Sequence, residues 1–456
     1  MERFRVVIAG GGVAGLEALL ALRELCDEQL DITLLAPEEE FHYRPLAIAE
    51  PFDKALARGF PLRQITREQH AHFRHASLER VEPESQTAIT ATGAELSYEA
   101  LLVAIGVRAV ESLPGSFTFR GSQDRAGFKE VLDEAERGKI RRLVFAMPRD
   151  AAWPLPLYEL ALLTADRVAS AGTASEIYLQ TPERRPLEMF GPRASAAVGA
   201  LLEQAGVSLH LGRAPVAFDR GQLELSDGDA LECDLVVSLP APEAPKIPGI
   251  PQRGPQRLVP TNGYGKANGP GAQYAAGDIT SFPIKQGGLA AQQADAAASA
   301  IAAMAGVDVV PRPFRPVLRG ALITAHGPRY LRARSDNAKA RPESVASRSV
   351  LWWPPAKIAG RLLAPYLAEK AGYPATVRDR LADLEAPIGD DPASFSGDHE
   401  DVVRLALQSA DATARWRDFR GAMRWLEVAE DLELYLPTTY DAKRVTWNEL
   451  AQQEVR

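Results

Sequence analysis

Residues 6–22 of the chain read VVIAGGGVAGLEALLAL: an apolar run, a glycine-rich turn, and a second apolar segment at helical spacing. The turn contains the pattern Gly10-x-Gly12-x-x-Gly15. In a strand–turn–helix unit the first glycine permits the tight turn and the second lets a pyrophosphate approach the backbone. The third brings the helix close to the sheet. This stretch therefore predicts a dinucleotide-binding βαβ unit.

The segments around the turn supply the rest of that unit. Residues 4–9 predict a buried parallel strand before the turn, and residues 31–36 predict the next parallel strand. The helix between them begins at Val13 and Ala14, where free N–H groups and the helix dipole favour phosphate binding. Because strand, helix and second strand are all present, the pattern favours a nucleotide site over a bare turn.

The acidic residue that bonds the adenosine ribose should lie about 20 residues after the last glycine. Ala36 holds that place, followed by Pro37 and Glu38. Two interpretations stay open for this loop. Glu38 reaches the ribose from a shifted position, or the loop is a solvated acidic turn.

The bulk composition is that of a globular protein with two or three domains. The chain has 456 residues, 46% of them hydrophobic, and a net charge of −8, which argues against a nucleic-acid binder. Its two cysteines exclude a disulfide framework and a four-cysteine metal site. We find no signal-peptide pattern and no long uncharged apolar run. These features predict a cytoplasmic protein, with a peripheral position at the inner membrane face as an alternative.

A second fingerprint occupies residues 272–302, AQYAAGDITSFPIKQGGLAAQQADAAASAIA. It resembles the A-x-G-D fingerprint of flavoproteins with two dinucleotide-binding domains. That resemblance implies that Gly277 and Asp278 hold the flavin ribityl chain. It also implies that the helix after Gly287 points its N-terminus at the flavin pyrimidine, where the dipole favours the negative charge of reduced flavin.

A third element, YEALLVAIGVR at residues 98–108, resembles the corresponding strand of these flavoproteins, with Ile105 in place of the usual threonine. Three elements in the right order imply FAD as the cofactor. The resemblance adds these further cofactor contacts: Leu78, Ala104, Ile105 and Gly106.

Over residues 1–370 the chain is most similar to one branch of the pyridine nucleotide-disulfide oxidoreductase superfamily. This branch holds sulfide:quinone oxidoreductases, flavocytochrome c sulfide dehydrogenases and type II NADH dehydrogenases. The segment with Arg44 and Pro45 looks like the branch's approach to the flavin. Lys285 and Gln286 hold the positions of its flavin-side lysine segment, so Lys285 is a candidate for tuning the flavin, with a surface ion pair as the alternative.

Two departures bear on the chemistry. Sulfide oxidation in this branch uses paired redox cysteines, whereas Cys26 and Cys233 look structural, and no cysteine stands where relatives attach flavin covalently. We therefore expect non-covalent FAD. The second departure is the stretch 144–165, VFAMPRDAAWPLPLYELALLTA, where NADH-using members carry glycines and this chain carries Trp153. NAD(P)H binding is thus doubtful: a lost site, a degenerate site and another ligand at Trp153 stay open.

The C-terminal part offers further candidates. Trp352 and Trp353 precede a stretch predicted as a basic amphipathic helix with Lys357, Arg361 and Lys370. They either close the flavin pocket or form an interfacial anchor, so both tryptophans are substrate-side candidates. A later stripe recurs at helical spacing and suggests a core, a lid or a contact with a dimer mate. Its members are Trp416, Phe419, Met423 and Leu426.

Together these features predict an α/β fold with two Rossmann-like, three-layer ββα domains and a C-terminal α+β region with a helical tail. The predicted boundaries are an FAD domain over 1–112 and 241–310, a degenerate NAD(P)-like domain over 113–240, an interface region over 311–375, and the tail over 376–456.

The predicted function is two-electron transfer through flavin to a quinone-like or protein acceptor. Two alternatives stay open. One is an NAD(P)H:acceptor reductase with an atypical nucleotide site. The other is a catalytically silent flavoprotein that serves as a binding or assembly subunit.

Overall fold

The computed structural model describes residues 3–334, 343–348, 351–352, 354, 356–370 and 439–453, with scattered positions between 406 and 429. The chain divides into two compact units, Met1–Ala346 and Ser347–Arg456, which are described separately. The helices are α1 (Val13–Cys26), α2 (Leu62–Glu68), α3 (Arg125–Glu136), α4 (Leu155–Ala171), α5 (Gly191–Gln204), α6 (Gly287–Met304), α7 (Leu363–Lys370) and α8 (Thr439–Gln453).

The strands group into two parallel sheets and several small ones. They are β1 (Phe4–Ala9), β2 (Leu30–Ala36), β3 (Glu40–His42), β4 (Gly59–Pro61), β5 (His72–His75), β6 (Leu78–Glu82), β7 (Thr87–Thr90), β8 (Glu95–Ser97), β9 (Ala100–Val103), β10 (Arg108–Val110), β11 (Phe117–Thr118), β12 (Arg142–Ala146), β13 (Glu176–Gln180), β14 (Ser208–His210), β15 (Pro215–Asp219), β16 (Gln222–Leu225), β17 (Ala230–Glu232), β18 (Leu235–Ser238), β19 (Ala241–Glu243), β20 (Gln273–Ala275), β21 (Val317–Leu322), β22 (Arg329–Arg334) and β23 (Glu343–Ser347).

The first parallel sheet has the strand order β20-β9-β1-β2-β5. Its central strands are apolar because both faces are covered, and Ile8, Leu34 and Leu102 have no solvent exposure. Strand β20 joins this sheet from far along the sequence, and α6, which follows it, packs against α1. The carboxyl ends of β1, β2, β9 and β20 therefore meet at one edge, where ligands bind in open α/β sheets.

The second parallel sheet has the order β11-β18-β12-β13-β14. Helices α3, α4 and α5 accompany it, and four aromatic side chains of its core are fully buried. They are Phe128, Phe145, Tyr158 and Phe190. Two parallel sheets of this kind in one unit confirm the predicted Rossmann-type α/β fold.

Small antiparallel sheets flank the two parallel ones. Strands β6, β7 and β8 form one, and β15, β16 and β17 form another. Strand β21 pairs antiparallel with β22 in a third sheet, and β23 lies beyond β22. This third sheet packs on helices of the second domain and on α6.

In the unit Ser347–Arg456, the helix is shorter than the basic amphipathic helix that we predicted, so the predicted extent is wrong. Helix α7 begins only at Leu363, so Lys357 and Arg361 precede it and Lys370 ends it. Gly360 explains the difference, because glycine disfavours helix and the sequence regains strong helix formers only after it. Trp353 and Trp416 lie outside the described residues.

Helix α8 and the described positions between 406 and 429 share a small apolar cluster that includes Trp425, Leu426 and Trp447. Phe419 and Met423 of the predicted stripe pack against that cluster. These three described members of the stripe, Leu426 included, therefore serve a core. Within the described part of the chain, no helix is both long enough and apolar enough to cross a membrane.

Candidate functional site

The glycine turn after β1 has the geometry that a pyrophosphate requires. Gly10 has φ +122°, and a Cβ there would collide with the Ala104 carbonyl. A Cβ at Gly15 would collide with the Gly10 carbonyl, which explains the close approach of α1 to the sheet. At Gly12, by contrast, a Cβ would meet no atom within 4 Å. The space beside Gly12 is therefore open.

The N-terminus of α1 faces that open space. Gly12 is its N-cap residue, and no side chain caps the helix, so the first N–H groups at Val13 and Ala14 have no side-chain acceptor. Uncapped N–H groups and the helix dipole attract an anion. The open space beside Gly12, next to an uncapped helix N-terminus, fits the pyrophosphate of a dinucleotide.

Two neighbouring strand ends border the turn. Strand β2 ends at the buried Ala36, and Pro37 and Glu38 after it are exposed. The His75 ring Nε2 lies 2.8 Å from the Pro37 carbonyl oxygen, which fixes this loop to the end of β5. Glu38 is thus exposed to solvent at the sheet edge. Its contact with a ribose stays a prediction.

The ends of β9 and β6 form the other border. The Ala104 N–H donates to the Ala9 carbonyl at 2.7 Å, so the segment with Ile105 and Gly106 runs directly beside the glycine turn. Leu78 is buried in the same apolar cluster that Ile105 packs against. Their contacts with a cofactor are predictions that this placement allows.

Asp278 lies in the turn that follows β20. Burial raises the pKa of its carboxyl group, while the charges of Lys285 and Arg44 act in the opposite direction. Within residues 3–334 the structure gives this carboxylate no hydrogen-bond donor. A half-buried carboxylate without a donor fits the hydroxyl groups of a ribityl chain. The fold therefore brings together Arg44, Asp278 and Lys285, and Pro45 follows Arg44 at the start of a 3₁₀ helix.

The Lys285 ammonium is held by backbone carbonyl groups. Its Nζ donates to the Thr280 oxygen at 2.6 Å and to the Phe282 oxygen at 2.7 Å. Burial lowers its pKa to about 8, and the charge of Asp278 partly opposes that shift. Its backbone N–H lies 3.3 Å from the Ala152 carbonyl oxygen, so the loop before α4 reaches the same place. Lys285 is therefore half-buried, and its ammonium is bound by backbone carbonyl groups rather than by a surface carboxylate.

Helix α6 begins next to Lys285. Gln286 is its N-cap residue: its Oε1 accepts from the Leu289 N–H at 2.8 Å, and its Nε2 donates to the Arg319 carbonyl at 3.1 Å. The polar atoms of Gln286 are thus engaged within the protein. Its contact with a cofactor stays a prediction, as does that of Gly287, the first residue of the helix.

The loop between β12 and α4 has no glycine, as the sequence indicated. The side chains in and beside this loop contact other groups of the protein. Trp153 packs on Phe190 with 5.9 Å between ring centroids. Glu183, just after β13, accepts hydrogen bonds from the Tyr158 hydroxyl at 2.5 Å and from the Glu188 N–H at 3.0 Å. Burial raises the pKa of the Glu183 carboxyl group. The acid at this strand end is already bound within the protein.

Trp352, in the unit Ser347–Arg456, is buried and donates from its ring Nε1 to the Ala356 carbonyl at 2.9 Å. This hydrogen bond belongs to its own unit. A substrate-side role for Trp352 or Trp353 therefore stays a prediction.

The sequence analysis missed two polar residues that support the Asp278 turn. Gln293 on α6 and Thr280 after β20 are both buried and hydrogen-bonded to Gly277. The available signal was the pair Gln292–Gln293 inside an otherwise alanine-rich helix, where a polar side chain on a buried face requires a partner.

Residues 4–143 match the family model described as pyridine nucleotide-disulphide oxidoreductase. The match covers less than a third of the chain. The match covers the first parallel sheet through β9 and the glycine turn beside it. The match includes Gly12 and the open space beside it. An open space of this kind fits the pyrophosphate of FAD, the cofactor that the sequence motifs imply.

Comparison with known proteins places the chain among distant relatives. It is 25% identical to ferroptosis suppressor protein 1 of Xenopus laevis over 245 residues, which is 52% of this chain and 62% of that protein. It is 29% identical to the sulfide-quinone reductase of Aquifex aeolicus (strain VF5) over 164 residues, 35% of this chain and 38% of that protein. These matches span less than two thirds of either relative.

The fold matches more widely than the sequence does. The crystal structure of the sulfide:quinone oxidoreductase from Aquifex aeolicus superposes with a TM-score of 0.68 at 16% sequence identity, covering 86% of this chain and 99% of that chain. At this identity the likeness establishes the fold.

Proposed function

We propose that this oxidoreductase passes two electrons through non-covalently bound FAD to a quinone-like or protein acceptor, without redox-active cysteines. The observation that carries the proposal is the Lys285 ammonium, held by two carbonyl groups beside Asp278 and the N-terminus of α6. Bound FAD supplies the redox chemistry. The ammonium and the helix dipole favour negative charge at that point, so we assign to Lys285 the tuning of the reduced cofactor.

The experiment begins with the anaerobic holoprotein reduced by dithionite. Addition of a soluble short-chain quinone should reoxidise the flavin rapidly, and the visible flavin absorbance reports this. Reoxidation by a small ferredoxin but by no quinone would assign a protein acceptor. If reduction by dithionite is intact and neither acceptor reoxidises the flavin, the proposal fails and a binding or assembly role is favoured.

The cysteines should be dispensable for this activity. Cys26 and Cys233 are buried, and burial raises the pKa of their thiols to about 11 and about 12, so neither forms a thiolate near neutral pH. We expect the Cys26→Ala/Cys233→Ala variant to keep its FAD and to reoxidise with quinone within about twofold of the wild-type rate. Because two buried side chains are shortened, its stability falls by about 2 kcal/mol. A loss of turnover with FAD retained would show that a thiol takes part.

Lys285 should set the flavin midpoint potential. The Lys285→Met variant removes a half-buried positive charge, so we expect a potential more negative by roughly 30 mV, which corresponds to about 1.4 kcal/mol for a two-electron couple. In the wild type the ammonium is charged below about pH 8 and neutral above it. The difference between the two proteins should therefore shrink as the pH rises through about 8, measured by equilibration with redox dyes. A pH-independent difference would contradict this role.

A further inference from the structure

Gln293 is buried in the second turn of α6, yet its side chain bonds to a different element. Its Oε1 accepts from the Gly277 N–H at 2.7 Å, and the Thr280 hydroxyl lies 3.3 Å from the same oxygen. Both partners belong to the turn that contains Asp278. A single side-chain oxygen of α6 thus anchors that turn.

The turn needs an anchor because its backbone is unusual. Gly277 has φ +81°, and a Cβ there would lie 3.1 Å from the Ala14 Cβ in the first turn of α1. The Thr280 hydroxyl donates to the Gly277 carbonyl at 2.9 Å, which closes the turn from the other side. The orientation of the Asp278 carboxylate therefore follows from the way in which Gly277 and Thr280 are held.

The same anchor reaches Lys285. The Thr280 carbonyl accepts from the Lys285 Nζ at 2.6 Å, so any movement of Thr280 also moves the acceptor of that ammonium. Gln293, Thr280 and Lys285 form one connected path, from the interior of α6 to a charge beside Asp278. The path thus reaches Lys285 and the turn that carries Asp278, the two charged groups of the candidate cofactor site near α6.

We propose that Gln293 is a positioning residue for FAD, which orients Asp278 and Lys285 through the Gly277–Thr280 turn. Its role goes beyond the proposed donor and acceptor chemistry. This proposal assumes that FAD is the cofactor and does not depend on the identity of the electron acceptor.

The neighbouring residue provides a matched control. Gln292 lies on the same helix, and its side chain exchanges two hydrogen bonds with the Val317 backbone, each 2.9 Å long. It therefore joins α6 to β21 and makes no bond to the Gly277 turn. Replacing Gln293 with leucine removes two side-chain hydrogen bonds, and replacing Gln292 removes three, one of them to the Gly288 carbonyl within α6. Only the first replacement releases the turn that contains Asp278.

The experiment compares Gln293→Leu, Gln292→Leu and Gln293→Glu, each prepared as holoprotein and as apoprotein. We expect Gln293→Leu to raise the FAD dissociation constant about tenfold and to shift the flavin midpoint potential to a more negative value. Gln292→Leu should change the dissociation constant by less than about threefold and leave the potential unchanged. Gln293→Glu retains an oxygen acceptor and should restore the dissociation constant to within about threefold of wild type.

Thermal unfolding of the apoproteins separates positioning from stability. Equal changes of affinity and potential in both leucine variants would overturn the proposal, because they would show a general effect of loosening α6. An unchanged potential in Gln293→Leu would also overturn it. If the wild type binds FAD but no acceptor reoxidises it, the proposed function fails while the assignment of Gln293 stands.

Discussion

The Gly12→Val variant should fold and yet be purified without FAD. A side chain at this position meets no protein atom within 4 Å, and Gly12 has φ −84° and ψ −169°, an extended conformation that valine adopts readily. The added methyl groups would instead occupy the space that the pyrophosphate needs. Loss of two hydrogen bonds to charged oxygens predicts an FAD affinity lower by on the order of 100-fold or more.

The measurement is the ratio of flavin to protein absorbance after purification, followed by titration of the apoprotein with FAD. Gly199→Ala is the matched control, since Gly199 lies within α5 and a Cβ there would come no closer than 3.8 Å to Pro186. That control should keep its FAD and unfold at or slightly above the wild-type temperature. A Gly12→Val protein with stoichiometric FAD would show that the pyrophosphate binds elsewhere.

Gly15→Ala should behave differently from both variants. Its Cβ would collide with the Gly10 carbonyl, so α1 and β1 would have to separate. We therefore expect loss of stability together with loss of FAD. The contrast between Gly12 and Gly15 distinguishes a residue that leaves room for a ligand from one that leaves room for the protein itself.

The features that the sequence predicted well are those with local causes. The requirement for glycine at Gly10, Gly12 and Gly15 arises within one turn, and Gly277 needs its positive φ for equally local reasons. Strands that are buried on both faces can also be recognised locally, because they appear in the sequence as short continuous apolar runs. The glycine turn and the apolar strands beside it could therefore be predicted without coordinates.

The features that the sequence analysis missed depend on hydrogen bonds between distant parts of the chain. Ser344 of β23 accepts hydrogen bonds from the Arg193 and Ala194 N–H groups, both at 3.1 Å, at the start of α5. No pattern near residue 344 indicates which helix it meets. The bonds of Gln293 to Gly277 and of Lys285 to Ala152 are of the same kind. They follow from sheet topology, which sets the partners only once the strands have paired.

The carboxyl edge of the second parallel sheet differs from that of the first. Three groups that a nucleotide domain leaves free at the carboxyl edge have partners within this protein. Glu183 accepts from Tyr158, Thr181 and Glu188, and Ser344 bonds to the N-terminus of α5. At the start of α4, Pro156 has no N–H, and the next N–H group donates to the Pro154 carbonyl at 3.0 Å.

We therefore expect that neither NADH nor NADPH reduces the flavin at a catalytic rate. In anaerobic stopped-flow mixing, the observed rate constant should stay below about 0.01 s⁻¹, against the roughly 10 s⁻¹ that is typical of enzymes. Dithionite provides the control, because it should reduce the same flavin completely. Rapid bleaching by NADH would contradict the prediction and favour an NAD(P)H:acceptor reductase.

The Tyr158→Phe variant tests the reason for that expectation. It removes the hydroxyl group that donates to Glu183 at 2.5 Å and accepts from the Leu187 N–H at 3.2 Å. If Tyr158 alone blocked the nucleotide, the variant would gain reduction by NADH. We expect no gain, since the loop at 147–154 still lacks glycine and Ser344 still caps α5. Stability should fall by about 2 kcal/mol, because Glu183 and the Leu187 N–H lose a buried partner. Several independent groups at this edge are therefore what we expect to keep NADH from reducing the flavin.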